Sequence, residues 1–218
     1  MKEQRNGLLL VISGPSGVGK GTLVKALMDR NSRIKMSVSA TTRAPRPEEI
    51  EGVHYFFKTE EEFKAMVDRG EFLEYIHVFG SKYYGTPRSF VEQNLANGYD
   101  VILEIDVQGA MKVKQAFPDA VLIFITAPSM SEIKSRLIGR GTETMEQVEK
   151  RFATAFEEIK MIPQYDYVVV NDVIDKAVHH MEAILEAERC RTIRSTYMLE
   201  AIEETGRKKS YDESSAGL

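Results

Sequence analysis

Four runs of apolar residues stand out along the chain: Leu8–Ser13, Val101–Asp106, Ala120–Thr126 and Tyr167–Asn171. Each is rich in Leu or β-branched residues and is continuous rather than alternating. Strands covered on both faces read this way, as in a parallel sheet with helices on each side. Between them lie segments with helical patterning, at Gly21–Arg30, Gly109–Ala116 and Ser131–Arg140. Alternation of strand and helix predicts an α/β fold with a parallel sheet between helical layers.

Two stretches depart from that alternation. From Arg33 to Thr86 the pattern is that of exposed sheet. Ile34, Met36, Val38 and Ala40 alternate with Lys35, Ser37, Ser39 and Thr41, the period of a half-exposed strand. His54–Phe57 and Phe72–Phe79 are further strand candidates, and Pro45, Pro47 and Gly52 mark turns. Thr59 followed by Glu62 predicts a capping box opening a short helix. The segment reads as a small, mainly antiparallel subdomain inserted in the core. The second departure is 136–151, where Gly139 and Gly141 bracket Arg140 and stop a helix. Thr144 and Gln147 then form a capping box for a helix with Val148, Phe152, Phe156, Ile159 and Ile162 on one stripe, ended by Pro163. A last helix is predicted from Asp175 to Glu203, followed by a polar tail expected to fray.

Composition narrows the partners. The chain has 218 residues, enough for one domain with insertions. Its 29 Lys and Arg against 33 Asp and Glu give a net charge of −4, which argues against a general nucleic-acid binder. The single cysteine, Cys190, excludes a disulfide framework and a cysteine-built zinc site. Leu8–Ile12 is too short for a signal-peptide core, and no run approaches the ~20 apolar residues of a membrane span. The expectation is a cytoplasmic protein that engages neither nucleic acid nor membrane. Monomer and homo-oligomer both remain open.

Gly14-Pro15-Ser16-Gly17-Val18-Gly19-Lys20-Gly21-Thr22 lies between the first strand and a helix. Gly14, Gly19 and Lys20 satisfy the G-x-x-x-x-G-K phosphate-loop pattern in its required setting. Glycines let backbone N–H groups converge on phosphate oxygens at a helix N-terminus, and Lys20 adds a mobile positive charge. The position after the lysine is Gly21 rather than a magnesium-ligating Ser or Thr, with Thr22 one place later. This predicts Mg²⁺ held mainly by phosphates and water.

Further segments complete a pattern. They are Ser37-Val38-Ser39-Ala40-Thr41-Thr42-Arg43-Ala44-Pro45-Arg46, Gly52-Val53-His54-Tyr55, Glu71-Phe72-Leu73-Glu74, Tyr83-Tyr84-Gly85-Thr86, Glu104-Ile105-Asp106-Val107-Gln108-Gly109, Arg136–Thr144 and Val170-Asn171-Asp172. In this order, with the phosphate loop, they resemble the guanylate kinase family of nucleoside monophosphate kinases over residues 6–190. The resemblance implies a phosphate-loop core (6–32, 87–135, 152–190), a GMP-binding subdomain (33–86) and a lid (136–151), with 191–218 as a helix end and flexible tail. It implies ATP-dependent phosphorylation of GMP, and of dGMP, to the diphosphate, with Mg²⁺ accompanying ATP. Arg43, Arg46, Tyr55 and Tyr84 would hold the GMP phosphate; Ser39, Glu74, Thr86 and Asp106 would read guanine. Lys20, Arg136, Arg140 and Arg151 would surround the transferring phosphoryl group. Gly14 to Thr22 and Asn171 would bind ATP, with Asn171 near the adenine end.

The chemistry of these residue types agrees. Guanine offers two adjacent donors, N1–H and the exocyclic amine, which one carboxylate accepts together; adenine's N1 is an acceptor that a carboxylate repels. Read without the family, Arg43 and Arg46 could be a solvated pair, Tyr55 and Tyr84 core aromatics, and Glu74 a surface acid. A GTPase switch is the rival enzyme reading, since Asp106–Gly109 spells D-x-x-G, but no N-K-x-D guanine motif accompanies it. A non-catalytic binding module of the same fold is the rival outside catalysis, and the complete phosphate loop weighs against it.

Overall fold

The computed structural model describes residues 6–78, 82–139, 144–194 and 202–203. The chain divides into two compact units, Met1–His179 and His180–Leu218.

The four apolar runs become parallel strands of one sheet: β1 (Leu9–Ser13), β7 (Asp100–Glu104), β8 (Val121–Thr126) and β9 (Tyr167–Val170). A fifth strand, β2 (Ile34–Met36), pairs with β7, giving the order β2-β7-β1-β8-β9. Every residue of β1 is buried. Leu9 and Val11 pack with Val91 and Leu95 of helix α3 (Arg88–Ala96) and with Ala110 and Val113 of helix α4 (Val107–Ala116). Their neighbours Leu10 and Ile12 point to the opposite face by strand geometry and are equally buried. Helix α1 (Lys20–Arg30) buries Leu23, Val24 and Leu27. Enclosure on both sides explains the unbroken apolar runs of β1, β7 and β8; the expectation is corrected for β9, an edge strand in which Val168 and Val170 are exposed. Truncating Leu9 or Leu10 to Ala would cost about 2–5 kcal/mol through lost burial and the cavity left behind.

The expectation of one alternating strand through Ile34–Thr41 is corrected. The chain leaves the first sheet after Met36 and resumes as β3 (Ala40–Thr41) in a second sheet. Ile34–Met36 of the 33–86 segment therefore belongs to the core sheet. The period-two pattern spans the break because Ile34 of β2 and Ala40 of β3 are both buried; Thr41, on the polar side of the pattern, is buried as well. The second sheet runs β4-β3-β6-β5, with β4 at Phe56–Phe57, β5 at Phe72–Val78 and β6 at Lys82–Pro87. Its β5–β6 and β3–β6 pairs are antiparallel and its β3–β4 pair parallel. A bulge between Phe72 and Glu74 lets consecutive residues serve different cores. Phe72 stacks on Phe63 of helix α2 (Glu60–Asp68), Leu73 joins the main core, and Glu74 sits opposite Thr86.

Both capping boxes form, at Thr59 with Glu62 and at Thr144 with Gln147. Helix α5 covers Met130–Gly139, and the stop expected around Arg140 lies outside the described residues. Helix α6 (Met145–Ile159) differs from its predicted stripe: Val148 and Ala155 are buried, whereas Phe156 is 52% exposed. It also stops before Pro163, which instead opens a short 3₁₀ turn at Ile162–Gln164. The last helix, α7 (Ile174–Arg189), is shorter than predicted. Past Arg189 the backbone bonds tighten from i−4 to i−3, Cys190 N–H reaching both Glu186 and Ala187 oxygens and Arg191 N–H reaching Glu188. A 3₁₀ turn follows at Thr192–Arg194, where Arg194 bonds the buried Glu188 carboxylate at 3.3 Å. Ile202 and Glu203 are again helical, and the tail from Thr205 lies outside the described residues. No helix among the described residues is long and apolar enough to cross a membrane.

Candidate active site

Ligands of open α/β sheets bind beyond the carboxyl ends of the strands. The phosphate loop follows β1 there, Glu104 ends β7 with Asp106 just beyond it, and Asn171 follows β9. The loop takes the shape its glycines permit. Gly14 and Gly19 have φ of 141° and 86°, and a Cβ would lie 2.0 Å from the Ile125 carbonyl oxygen at Gly14 and 2.6 Å from the Asn171 amide at Gly19. Any side chain at either place is excluded twice over, by conformation and by space. Val18 is fully buried beneath the loop, while Gly21 and Thr22 are exposed at the start of α1. Lys20 Nζ donates to the Gly14 and Pro15 carbonyls at 2.5 and 3.0 Å, folding over the loop it serves.

Arginines reach the same loop from elsewhere. Arg136 on α5 bonds Glu132 at 2.8 Å, the Asn171 carbonyl at 3.0 Å and the Val18 carbonyl at 3.5 Å. Arg151 on α6 donates to Ser16 Oγ at 3.4 Å. Three positive side chains distant in sequence thus converge on Gly14–Thr22. Arg140 lies outside the described residues.

The second sheet builds a separate polar pocket. Glu74 on β5 is buried, 8% exposed, and its Oε1 accepts the Thr86 hydroxyl at 2.8 Å. Burial pushes its carboxyl above the usual range; the Thr86 hydrogen bond opposes the rise and the Asp106 charge adds to it. A cavity of about 220 Å³ is lined by Ser39, Tyr55, Glu74, Tyr84, Asp106 and Gly109, among others. A neighbouring cavity of about 230 Å³ shares Ser39 and Tyr55 and adds Thr86. Tyr55 and Tyr84 meet edge to face, ring centres 6.1 Å apart, and the Arg43 guanidinium lies 5.4 Å from the Tyr55 ring. Arg46 is exposed on the same turn. A buried carboxylate and hydroxyls beside aromatics and arginines suit a planar base with two donors attached to a phosphate.

Comparison with known proteins accords with the site. The guanylate kinase family model matches residues 6–188. The chain belongs to the guanylate kinase family. A curated guanylate kinase of Caldanaerobacter subterraneus subsp. tengcongensis is 53% identical over 195 residues, spanning 89% of this chain and 94% of its own. That of Clostridioides difficile is 48% identical over 190 residues, spanning 87% and 92%. Among solved structures, the crystal structure of guanylate kinase from Anaplasma phagocytophilum has a TM-score of 0.67 at 37% identity, covering 88% of this chain and 90% of that one.

One residue of this guanylate kinase sits differently from what its place at the end of an apolar run suggests. Asp106 is exposed rather than buried at a strand end, and it caps α4: its Oδ1 accepts Gly109 N–H at 2.8 Å. That bond accounts for the D-x-x-G spacing as a helix cap facing the pocket. Asn171 is buried with its amide donating to the Val18 carbonyl at 2.7 Å, bracing the phosphate loop.

Glu49 was not read from sequence. It pairs with Arg43 at 2.7 Å and accepts Arg46 N–H at 2.8 Å, so one carboxylate organises both arginines. The Arg43 hydrogen bond, then the Arg46 N–H, hold its carboxyl down at about 2. An acid three residues past the second arginine, in a proline-bracketed turn, was the available signal. Glu104 was likewise passed over as a site residue. Its carboxylate oxygens lie 3.6 and 3.8 Å from where a Gly21 Cβ would be, and burial raises its pKa while Lys20 opposes the rise.

Members of the family generally need Mg²⁺. No group of three or more His, Cys, Asp or Glu that could hold a metal occurs among the described residues. The donors near the loop, the Thr22 hydroxyl and the Glu104 carboxylate across from Gly21, fit an ion that arrives on ATP and keeps most of its water.

Proposed function

We propose that this guanylate kinase, which phosphorylates GMP to GDP at the expense of ATP, divides the work between its two polar sites as follows. The phosphates of ATP lie over Gly14–Thr22 (Gly14, Pro15, Ser16, Gly17, Val18, Gly19, Lys20, Gly21, Thr22), whose N–H groups, Pro15 apart, receive them. Asn171 supports that cradle from below. GMP places its base against Glu74, Thr86, Ser39 and Asp106 and its phosphate against Arg43, Arg46, Tyr55 and Tyr84. dGMP, which carries the same base and phosphate, is accepted as well. The observation that carries this reading is the buried Glu74–Thr86 pair, which presents a carboxylate to a cavity whose wall includes Tyr55, the ring that Arg43 approaches.

A GMP phosphate oxygen attacks the γ-phosphorus of ATP in line. One P–O bond forms to the acceptor as the bond to the ADP oxygen breaks, and the reverse path is equally open. The acceptor phosphate is anionic near neutral pH, so no side chain removes a proton. Catalysis is positioning and neutralisation of charge by Lys20, Arg136, Arg140 and Arg151. Lys20 exchanges its loop carbonyls for phosphate oxygens. Thr22 and Glu104 are the residues that would help hold Mg²⁺ arriving with ATP, and the ion would supply positive charge against the phosphates. The 33–86 and 136–151 segments act as the acceptor-binding and lid parts around the core, and closing them keeps water from the phosphoryl group.

Calorimetric titration of GMP, IMP and AMP tests the base assignment. GMP should bind tightest, IMP more weakly for want of the exocyclic amine, and AMP not measurably. Equal affinity for AMP and GMP would remove Glu74 from base recognition.

A further inference from the structure

The cavity that holds Glu74 has a wall that base recognition leaves unexplained: helix α4. Gly109 faces Glu74 so closely that a Cβ there would stand 3.6 Å from Glu74 Oε2. One turn further along α4, Lys112 lines the same cavity. Its Nζ donates to the Tyr75 carbonyl at 3.0 Å and lies 5.7 Å from the Tyr75 ring centre. Lys112 therefore joins a helix of the core to strand β5 of the second sheet at the residue after Glu74.

We propose that Lys112 is a positioning residue for the acceptor base, bonding β5 from α4 so that the Glu74 carboxylate is held at the right depth beside a compensating positive charge. The proposal rests on Glu74 reading guanine. Of the charged groups around Glu74, Asp106 at the start of α4 and Glu104 at the end of β7 are negative, and Lys112 on α4 is positive; Thr86 on β6 and the Tyr55 and Tyr84 hydroxyls are neutral. Asp106 works against ionisation of Glu74 and Lys112 favours it. A carboxylate must be ionised to accept two donors, so a neighbouring ammonium extends the range of pH over which it can do so. The bond to Tyr75 is a backbone contact, so it also limits how far β5 can drift from α4.

Calorimetric titration of GMP into the intact protein between pH 4.5 and 8, with wild type, Lys112→Met, Lys112→Arg and Glu74→Gln, tests this. The ionisation of the GMP phosphate is common to all four. Lys112→Met should weaken GMP binding about tenfold at pH 7 and move the acid limb of binding to higher pH, with affinity for an inert ATP analogue held within about twofold. Lys112→Arg should restore most of both. In a Glu74→Gln background Lys112→Met should shift no acid limb. If Lys112→Met leaves affinity and acid limb unchanged while Glu74→Gln abolishes GMP binding, the Lys112 proposal fails and the base assignment survives. If Glu74→Gln binds GMP normally, the base assignment itself fails.

Discussion

Thr86 and Glu74 face each other across the β5–β6 pair, and the Thr86 hydroxyl donates to Glu74 Oε1 at 2.8 Å with both residues buried. The hydrogen bond uses one carboxylate oxygen from the protein side and fixes the plane of the group. Glu74→Gln keeps the shape but turns an amine donor toward the donors of guanine. Unpaired buried donors cost about 1–3 kcal/mol each, so kcat/KM for GMP should fall about a hundredfold or more with KM for ATP within about twofold. Steady-state kinetics varying each substrate in turn provides the check; equal losses for both substrates would contradict the assignment.

Lys20→Ala should leave the fold intact by circular dichroism and lower kcat by about 10²–10³-fold, the scale for losing one preorganised charge contact to a developing transition state. Single-turnover rates with saturating ATP and GMP measure it. Near-normal turnover would mean that Arg136 and Arg151 suffice at the loop.

Asp106 serves the fold and the site at once, and two substitutions separate these roles. Asp106→Asn keeps a capping oxygen for Gly109 N–H, so guanidinium unfolding should show little change. Asp106→Ala loses the cap and about 1 kcal/mol. Both should weaken GMP, because both remove the carboxylate. A GMP affinity that tracks stability alone would reduce Asp106 to a helix cap.

Glu49 is held at about 2 by Arg43 first and by the Arg46 N–H second. A depressed carboxyl contributes its ordering fully above the unfolded value of about 4.5 and loses it as pH falls toward about 2. Arg43 and Arg46 should therefore stay organised throughout the neutral range. Their turn should loosen only in strong acid, visible as a Glu49 carboxyl NMR titration with a midpoint near 2. Glu49→Gln should raise KM for GMP about fivefold, the scale of ordering one long side chain on binding.

How much of this was legible follows from what each residue's neighbours are. Strands β1, β7 and β8 were readable because burial on both faces leaves an unbroken apolar run, whereas β9, at the sheet edge, is apolar although Val168 and Val170 are exposed. The phosphate loop was readable because Gly14 and Gly19 tolerate nothing else. Capping boxes at Thr59 and Thr144 were readable because both partners sit within three residues. The β2–β3 break was hidden, since two short strands in different sheets continue a single period-two pattern. Asp106 looked like a buried strand-end charge because the chain turns into α4 two residues after β7 closes. Glu49 carried only a weak signal, an acid three residues past Arg46 in a proline-bracketed turn, and Lys112 carried none, since its partner, the Tyr75 carbonyl, becomes a neighbour only through the packing of α4 on the second sheet.

The central claim, that the buried Glu74 pocket selects guanylate as acceptor, is tested most directly by ATP-dependent ADP formation against a panel of GMP, dGMP, AMP, CMP and UMP. The account predicts rapid ADP formation with GMP and dGMP, at least about 10³-fold lower kcat/KM with the other three, and negligible GTP hydrolysis without an acceptor. Comparable turnover of AMP or UMP, or steady GTP hydrolysis with no monophosphate present, would contradict it.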